Sequence, residues 1–212
     1  MNAKVPFKSP APTTFLESLV YAWNGIIHTV VHQRNMRMHV IAAMLVSLVG
    51  AGIPLGLAEK VTLIFCVMMV FFAEILNSAL EQLVDLATEM QHERARIAKD
   101  AAAAGVLVLA IGTIVIFAAI LVHNGAAIMG HVAEIQAQVI AGVPITFILG
   151  LLMHERRRPA AVDVLALLVG LGLTAYTVTW TFSYVFSAMS GGLLLLAAAA
   201  SWVRRKEGSF EK

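Results

Sequence analysis

Apolar stretches long enough to form membrane spans alternate with short polar connections along this chain. Val40 to Leu57, Val61 to Leu86, Ala101 to Val122 and Ile135 to Met153 each read as a candidate span, because a crossing helix needs roughly 20 mainly apolar residues. A fifth apolar region, Ala161 to Val203, is longer than one helix requires. Phe15 to His32 follows a different pattern. Phe15, Leu19, Ala22, Trp23, Ile26 and Ile27 form an apolar face opposed by Glu17, Asn24, His28 and His32, as expected of a helix lying in the membrane interface with Gly25 as a place to bend.

Basic residues orient this array. With the N-terminal tail in the cytoplasm, only Lys60 of the fifteen Lys and Arg residues falls in an outer loop. Three spans then leave His123 to Glu134 outside, and the fourth returns the Arg156, Arg157, Arg158 cluster to the cytoplasm, where Arg204, Arg205 and Lys206 also belong. The intervening stretch is just long enough for two short spans with a tight turn near Ser183 or around Ser187 to Gly192. A re-entrant hairpin also fits, and a five-span chain is the alternative that breaks the charge rule.

Composition agrees. With 212 residues, 59% hydrophobic, 13% charged and a mean hydropathy of +0.83, the chain is expected to be an all-α integral membrane protein and not a soluble domain. Its formal charge of +2 says little about partners, and the single Cys66 excludes a disulfide framework. No cleaved signal peptide is evident in MNAKVPFKSPAPTTF.

The chemistry lies in the second span, where FCVMMVFFAEILNSALEQLVDL contains Glu74, Asn77, Glu81 and Asp85. Ionisable groups in a bilayer cost a few kcal/mol each, roughly +2.5 to +3.5 on insertion scales, and are retained mainly where they work. Relative to Glu74, the other three fall at roughly −60°, −20° and +20° around a helix, so all four face one cleft. Glu74 and Glu81 are about 10 Å apart along the axis, too far to chelate one ion together. With this span running inward, Asp85 and Glu81 lie near the cytoplasm and Glu74 deeper, at the level of a lipid head group. That order suits a reaction between a cytosolic reagent and a membrane-embedded alcohol.

Two polar segments flank the stripe. QRNMRMH, Gln33 to His39, carries Arg34 and Arg37, which either snorkel to head groups or meet an anionic ligand. ATEMQHERARIAKD, Ala87 to Asp100, is either a solvated turn or a phosphate-receiving segment, with Lys99 and Asp100 expected at the start of the next helix. No GxxxxGK[ST] loop or kinase-type glycine loop occurs, so a soluble nucleotide fold is not available.

The run AEILNSALEQLVDL followed by HERARIAKDAAAAGVLV, preceded by YAWNG and RNMRMH, resembles the prokaryotic diacylglycerol kinase and undecaprenol kinase family over roughly Phe15 to Val122. The resemblance implies a three-span kinase unit whose homotrimer shares its sites, transferring the γ-phosphoryl of ATP with Mg²⁺ to the hydroxyl of a membrane lipid alcohol. It makes Glu74 the general base and Glu81 a metal-bridging carboxylate with Asn77 and Asp85 as its neighbours; Arg37, from the polar segment, is a further candidate for supporting the site. Tyr21, Glu81, His92, Glu93, Lys99 and Asp100 become nucleotide contacts. Where many members have a second metal-binding carboxylate, this chain has Gln33, whose amide oxygen ligates Mg²⁺ only weakly or through water. The RNMRMH version is closer to the undecaprenol branch than to the diacylglycerol branch.

The expected organisation is a tail over 1–14, a lipid-kinase-like membrane domain over 15–123, and an extension over 124–212 with two or three further membrane segments and no assigned role. The expected location is the bacterial inner membrane, with no nucleic-acid partner. The extension lacks the histidines of an appended membrane phosphatase, His154 reads as interfacial, and Tyr176, Trp180, Tyr184 and Trp202 read as interface anchors. The small-residue run AAAAGVLVLAIG reads as a surface for close helix packing. A noncatalytic scaffold and an ion-coupled transporter are the alternatives, the latter weakened because no repeat is found.

Overall fold

The computed structural model describes residues 14–88, 92–154 and 158–207, and the described residues contain helices and no strand. The tail over 1–13 and the basic pair Arg156 and Arg157 lie outside the described residues. Helix α1, Phe15–His32, starts at a reciprocal capping box in which Thr14 Oγ1 accepts from the Glu17 amide and Glu17 accepts from the Thr14 amide. It continues unbroken through Gly25. Gln33 alone is extended (φ −97°, ψ 117°), and this one residue separates α1 from α2, Arg34–Gly52.

Helix α2 starts earlier and ends earlier than apolarity predicts. Its first turn is polar, and it stops because Ile53 precedes Pro54 and is held extended. Helix α3 runs over Leu57–Ala87, with Glu59 accepting from the Gly56 amide at its start. Helix α4, Glu93–His123, begins well before the predicted Ala101. A short α5, Gly125–Gly130, leads to α6, Val132–Met153; α7, Ala160–Thr177, ends in a single 3₁₀ turn, and α8 spans Tyr184–Glu207.

Six of these helices, α2, α3, α4, α6, α7 and α8, are long and apolar enough to cross a membrane. The long fifth region is therefore two helices, broken just before Ser183, and the extension contributes three candidate spans. Tyr176, Trp180 and Tyr184 are exposed around that break, and Lys206 lies 5.6 Å above the exposed Trp202 ring at the opposite end of α8. Both positions suit interface anchors.

Helix α2 sits at the centre, touching α3, α6 and α8, while α8 also packs on α1 and α3 pairs with α4. Met36, Val40 and Met44 of α2, Ile145 and Leu149 of α6, and Phe186 and Leu194 of α8 are buried in one core. Gly50 lets the Phe186 ring reach the α2 backbone, since a Cβ there would lie 2.7 Å from a ring carbon. Apolar burial has little driving force within lipid, so close packing and buried hydrogen bonds fasten such helices. Ser47 on α2 bonds the Phe186 carbonyl, the Phe182 amide donates to the Ala51 carbonyl, and Gln138 on α6 donates to the Thr177 carbonyl. At the other end, Arg204 donates to the Met153 and His154 carbonyls that close α6. Within this single chain, Gly105 and Gly112 in the small-residue run of α4 have open space where a Cβ would stand, and Val106 is the one buried residue of that helix.

Candidate active site

The carboxylate stripe is a burial gradient along α3. Glu74 is 1% exposed and Asn77 4%; Glu81 is half-buried and Asp85 exposed. Glu74 lines a cleft of about 240 Å³ with Asn35, Met38 and His39 of α2 and small or aliphatic residues of α4. Both carboxyl oxygens of Glu74 and Oδ1 of Asn77 are buried without a hydrogen-bond partner. Native structures rarely leave buried acceptors unmatched. A ligand bearing a hydroxyl would supply the missing donor. Among the described residues, the side chains of Asn35 and His39 make no hydrogen bond within the chain and are free to engage such a ligand.

One turn farther along, Glu81 accepts from Asn77 Nδ2 at 3.0 Å and from Gln33 Nε2 at 3.4 Å. The extended joint between α1 and α2 thus brings Gln33 to Glu81. Arg37 braces that joint by donating to the Val31 carbonyl at 2.7 Å in the last turn of α1. No group of three or more His, Cys, Asp or Glu side chains capable of holding a metal occurs among the described residues. One carboxylate flanked by two amides, one with an unpaired oxygen, nevertheless fits the way Mg²⁺ is held, with one or two carboxylates and the remaining positions filled by phosphate and water.

Beyond Glu81, Lys99 Nζ is 2.5 Å from Asp85 Oδ1, joining α4 to the shallow end of the stripe. His92 caps α4 by accepting from the Arg94 amide at 3.1 Å. Lys99 and Asp100 are not at the helix start, as the sequence suggested, but in its second turn. The polar segment is helical from Glu93 onward, and with the Arg94 amide bonded to His92 the first-turn amides without a helical acceptor are those of Glu93 and Ala95. Arg96, which the sequence reading passed over, bridges Glu93 at 2.6 Å and Asp100 at 2.9 Å. Its spacing of i−3 and i+4 to two acids was the available signal.

Gln33, Asn77 and Glu81 therefore come together, Asp85 meets Lys99, and Glu74 sits deeper in its own cleft. Tyr21, His92 and Glu93 are exposed and line neither that cleft nor the Glu81 cluster. Asn35 and His39 were missed because neither lies in the stripe; their i, i+4 spacing at the polar start of α2 was the hint.

The prokaryotic diacylglycerol kinase family profile matches residues 20–121, which takes in the stripe and both flanking segments. An undecaprenol kinase from Bacillus subtilis is 38% identical over 97 residues, covering 46% of this chain and 79% of that protein. A diacylglycerol kinase from Synechocystis sp. is 34% identical over 119 residues, 54% of this chain and 68% of that protein. The diacylglycerol kinase of Escherichia coli is 30% identical over 103 residues, 49% and 84% of the two chains. No solved structure matches this chain.

Proposed function

The chain belongs to the prokaryotic diacylglycerol kinase family and is a multi-pass membrane lipid kinase; on that premise we propose that it transfers the γ-phosphoryl group of ATP to the hydroxyl of undecaprenol, in preference to diacylglycerol. The buried, unpartnered carboxylate of Glu74 carries this reading. Similarity to a protein named undecaprenol kinase, together with the Arg34 to His39 segment, supports the acceptor.

In the proposed reaction, Glu74 orients the acceptor hydroxyl and takes its proton as the oxygen bonds to the γ-phosphorus. The bond from that phosphorus to the β,γ-bridging oxygen breaks, and ADP leaves with the electron pair. Most of the catalysis in such transfers comes from positioning and charge neutralisation. Lys99 adds a mobile positive charge to the phosphates, and Arg96 keeps Glu93 and Asp100 in fixed relation beside it. Glu81, with the Gln33 and Asn77 amides, is the set that would hold Mg²⁺, which when bound neutralises charge on the phosphates.

Tyr21, His92 and Glu93 complete the nucleotide site when a second copy of the chain approaches, so the reading includes a homotrimer with shared sites. The even number of candidate spans and the distribution of Lys and Arg support a bacterial inner-membrane protein with its N-terminus in the cytoplasm. The scaffold and transporter readings have no observation in their favour.

The test is a membrane-fraction assay with labelled ATP and the two lipids in parallel. Glu74→Gln should reduce turnover by about 10²-fold or more with assembly unchanged. Retained phosphorylation would remove Glu74 from the mechanism, and inactivity of the unmodified protein on both lipids would favour a scaffold.

A further inference from the structure

The extension contributes more than bulk to the fold. Between α2 and α6 lies a groove of about 340 Å³, walled by Ile41 and Leu45 on one side and Val139, Val143 and Phe147 on the other. Sites for small ligands begin at roughly 300 Å³. The groove has almost no polar chemistry to offer a head group: the Thr146 hydroxyl is committed to the Gly142 carbonyl, and Gln138 donates to Thr177 with its Oε1 sealed from the surface. Its rim is open, since Leu45, Val139, Val143 and Phe147 are each at least half exposed.

Helix α2 walls both this groove and the Glu74 cleft. Met38 lines that cleft and is 58% exposed. Leu45, two turns on, falls within about 20° of Met38 around the helix, with Ile41 between them. Met38, Ile41 and Leu45 therefore lay an apolar strip along α2 between the cleft and the groove, on a helix that rises about 20 Å from His39 to Gly52. This is the direction that a lipid tail takes when its hydroxyl sits at Glu74.

We infer that the groove between α2 and α6 holds the hydrocarbon chain of the polyprenyl alcohol whose hydroxyl is presented to Glu74, so that the extension selects acceptors by chain length. The inference rests on the lipid-kinase reading. A short prenyl alcohol such as farnesol fills the cleft and the Met38 step, whereas the undecaprenyl chain continues into the groove. Helix α6, outside the matched family region, thus supplies a specificity wall that the 20–121 segment lacks.

The experiment compares farnesol and undecaprenol as acceptors for the full chain in detergent–lipid micelles. Val143→Trp fills the groove from an exposed rim position, and Ile140→Trp places the same bulk on an exposed α6 position outside it. Val143→Trp should lower kcat/KM for undecaprenol about 10-fold and leave farnesol unchanged, while Ile140→Trp should change neither. Unchanged farnesol turnover also establishes that the variant is folded. Equal effects on the two alcohols, or none on either, would overturn the groove and leave the kinase reading intact. Absence of prenyl-alcohol turnover in the unmodified protein would overturn both the groove and the undecaprenol acceptor.

Discussion

Ser47 on α2 and Ser190 on α8 lie 2.7 Å apart, oxygen to oxygen, both fully buried. This contact ties the family-matched half of the chain to the extension at the level where the membrane offers no water to replace it. Buried hydroxyl pairs of this kind couple helices by about 0.6 kcal/mol on average and by no more than about 1.7 in measured membrane cases. A double-mutant cycle with Ser47→Ala and Ser190→Ala, followed by unfolding in mixed detergent, should give a favourable coupling in that range. Zero coupling would mean that Ser47 and Ser190 are held only through their separate bonds to the Phe186 carbonyl.

The amide at Gln33 sets the charge of the Glu81 cluster. Gln33→Glu places a second carboxylate beside Glu81, and a site gains affinity for a divalent cation with ligand charge. The concentration of Mg²⁺ giving half-maximal activity at fixed ATP should fall several-fold, and Gln33→Leu should raise it. An unchanged Mg²⁺ titration in both variants would remove Gln33 from the metal site.

Lys99 and Asp85 form an exposed pair, with side-chain exposures of 36% and 61%. Such pairs contribute at most about 1 kcal/mol to stability, so Lys99→Met should leave thermal unfolding nearly unchanged. Loss of a charge-assisted contact to phosphate costs about 1.5 to 3 kcal/mol, and KM for ATP should rise by the corresponding factor of about 10 to 100. The KM for the lipid should stay constant. A shift in lipid KM alone would relocate Lys99 to the acceptor side.

His39 and Asn35 face the Glu74 cleft without internal hydrogen bonds. Replacing either with Ala removes no hydrogen bond of the fold, so stability should be largely retained. Each should raise KM for the lipid alcohol, by about 10-fold for one lost hydrogen bond of about 1.4 kcal/mol, with KM for ATP unaltered. Normal lipid kinetics in the double variant would exclude that wall of the cleft from acceptor binding.

Residues differ in how openly their sequence context reveals them. The limits of α1 were readable because Thr14 and Glu17 spell a capping box and Gln33 follows the last apolar contact. The α3 stripe was readable because four polar groups repeat at helical spacing within an apolar run. The true starts of α2 and α4 were not: hydropathy marks where a helix can cross a membrane, whereas Arg34 to His39 and Glu93 to Asp100 are helical but polar. The seating of α8 against α1 and α2 was also hidden. A helix apolar on all sides offers no contrast between its lipid-facing and protein-facing surfaces, and the clues that matter, Ser47, Gly50 and Ser190, are small residues with weak individual signals. Asn35 and His39 acquire meaning only once α2 is set beside Glu74.

The contacts of α8 with α1 and α2 impose an order on biogenesis. These two helices are made before α3 to α7, and α8 emerges after all the other described elements. Until then Ser47 lacks Ser190, and the face of α2 that receives Phe186 lacks that ring. The nascent protein must therefore hold α1 and α2 in an unfinished arrangement while α3 to α7 are made, and the closing contact joins helices that all of those elements separate.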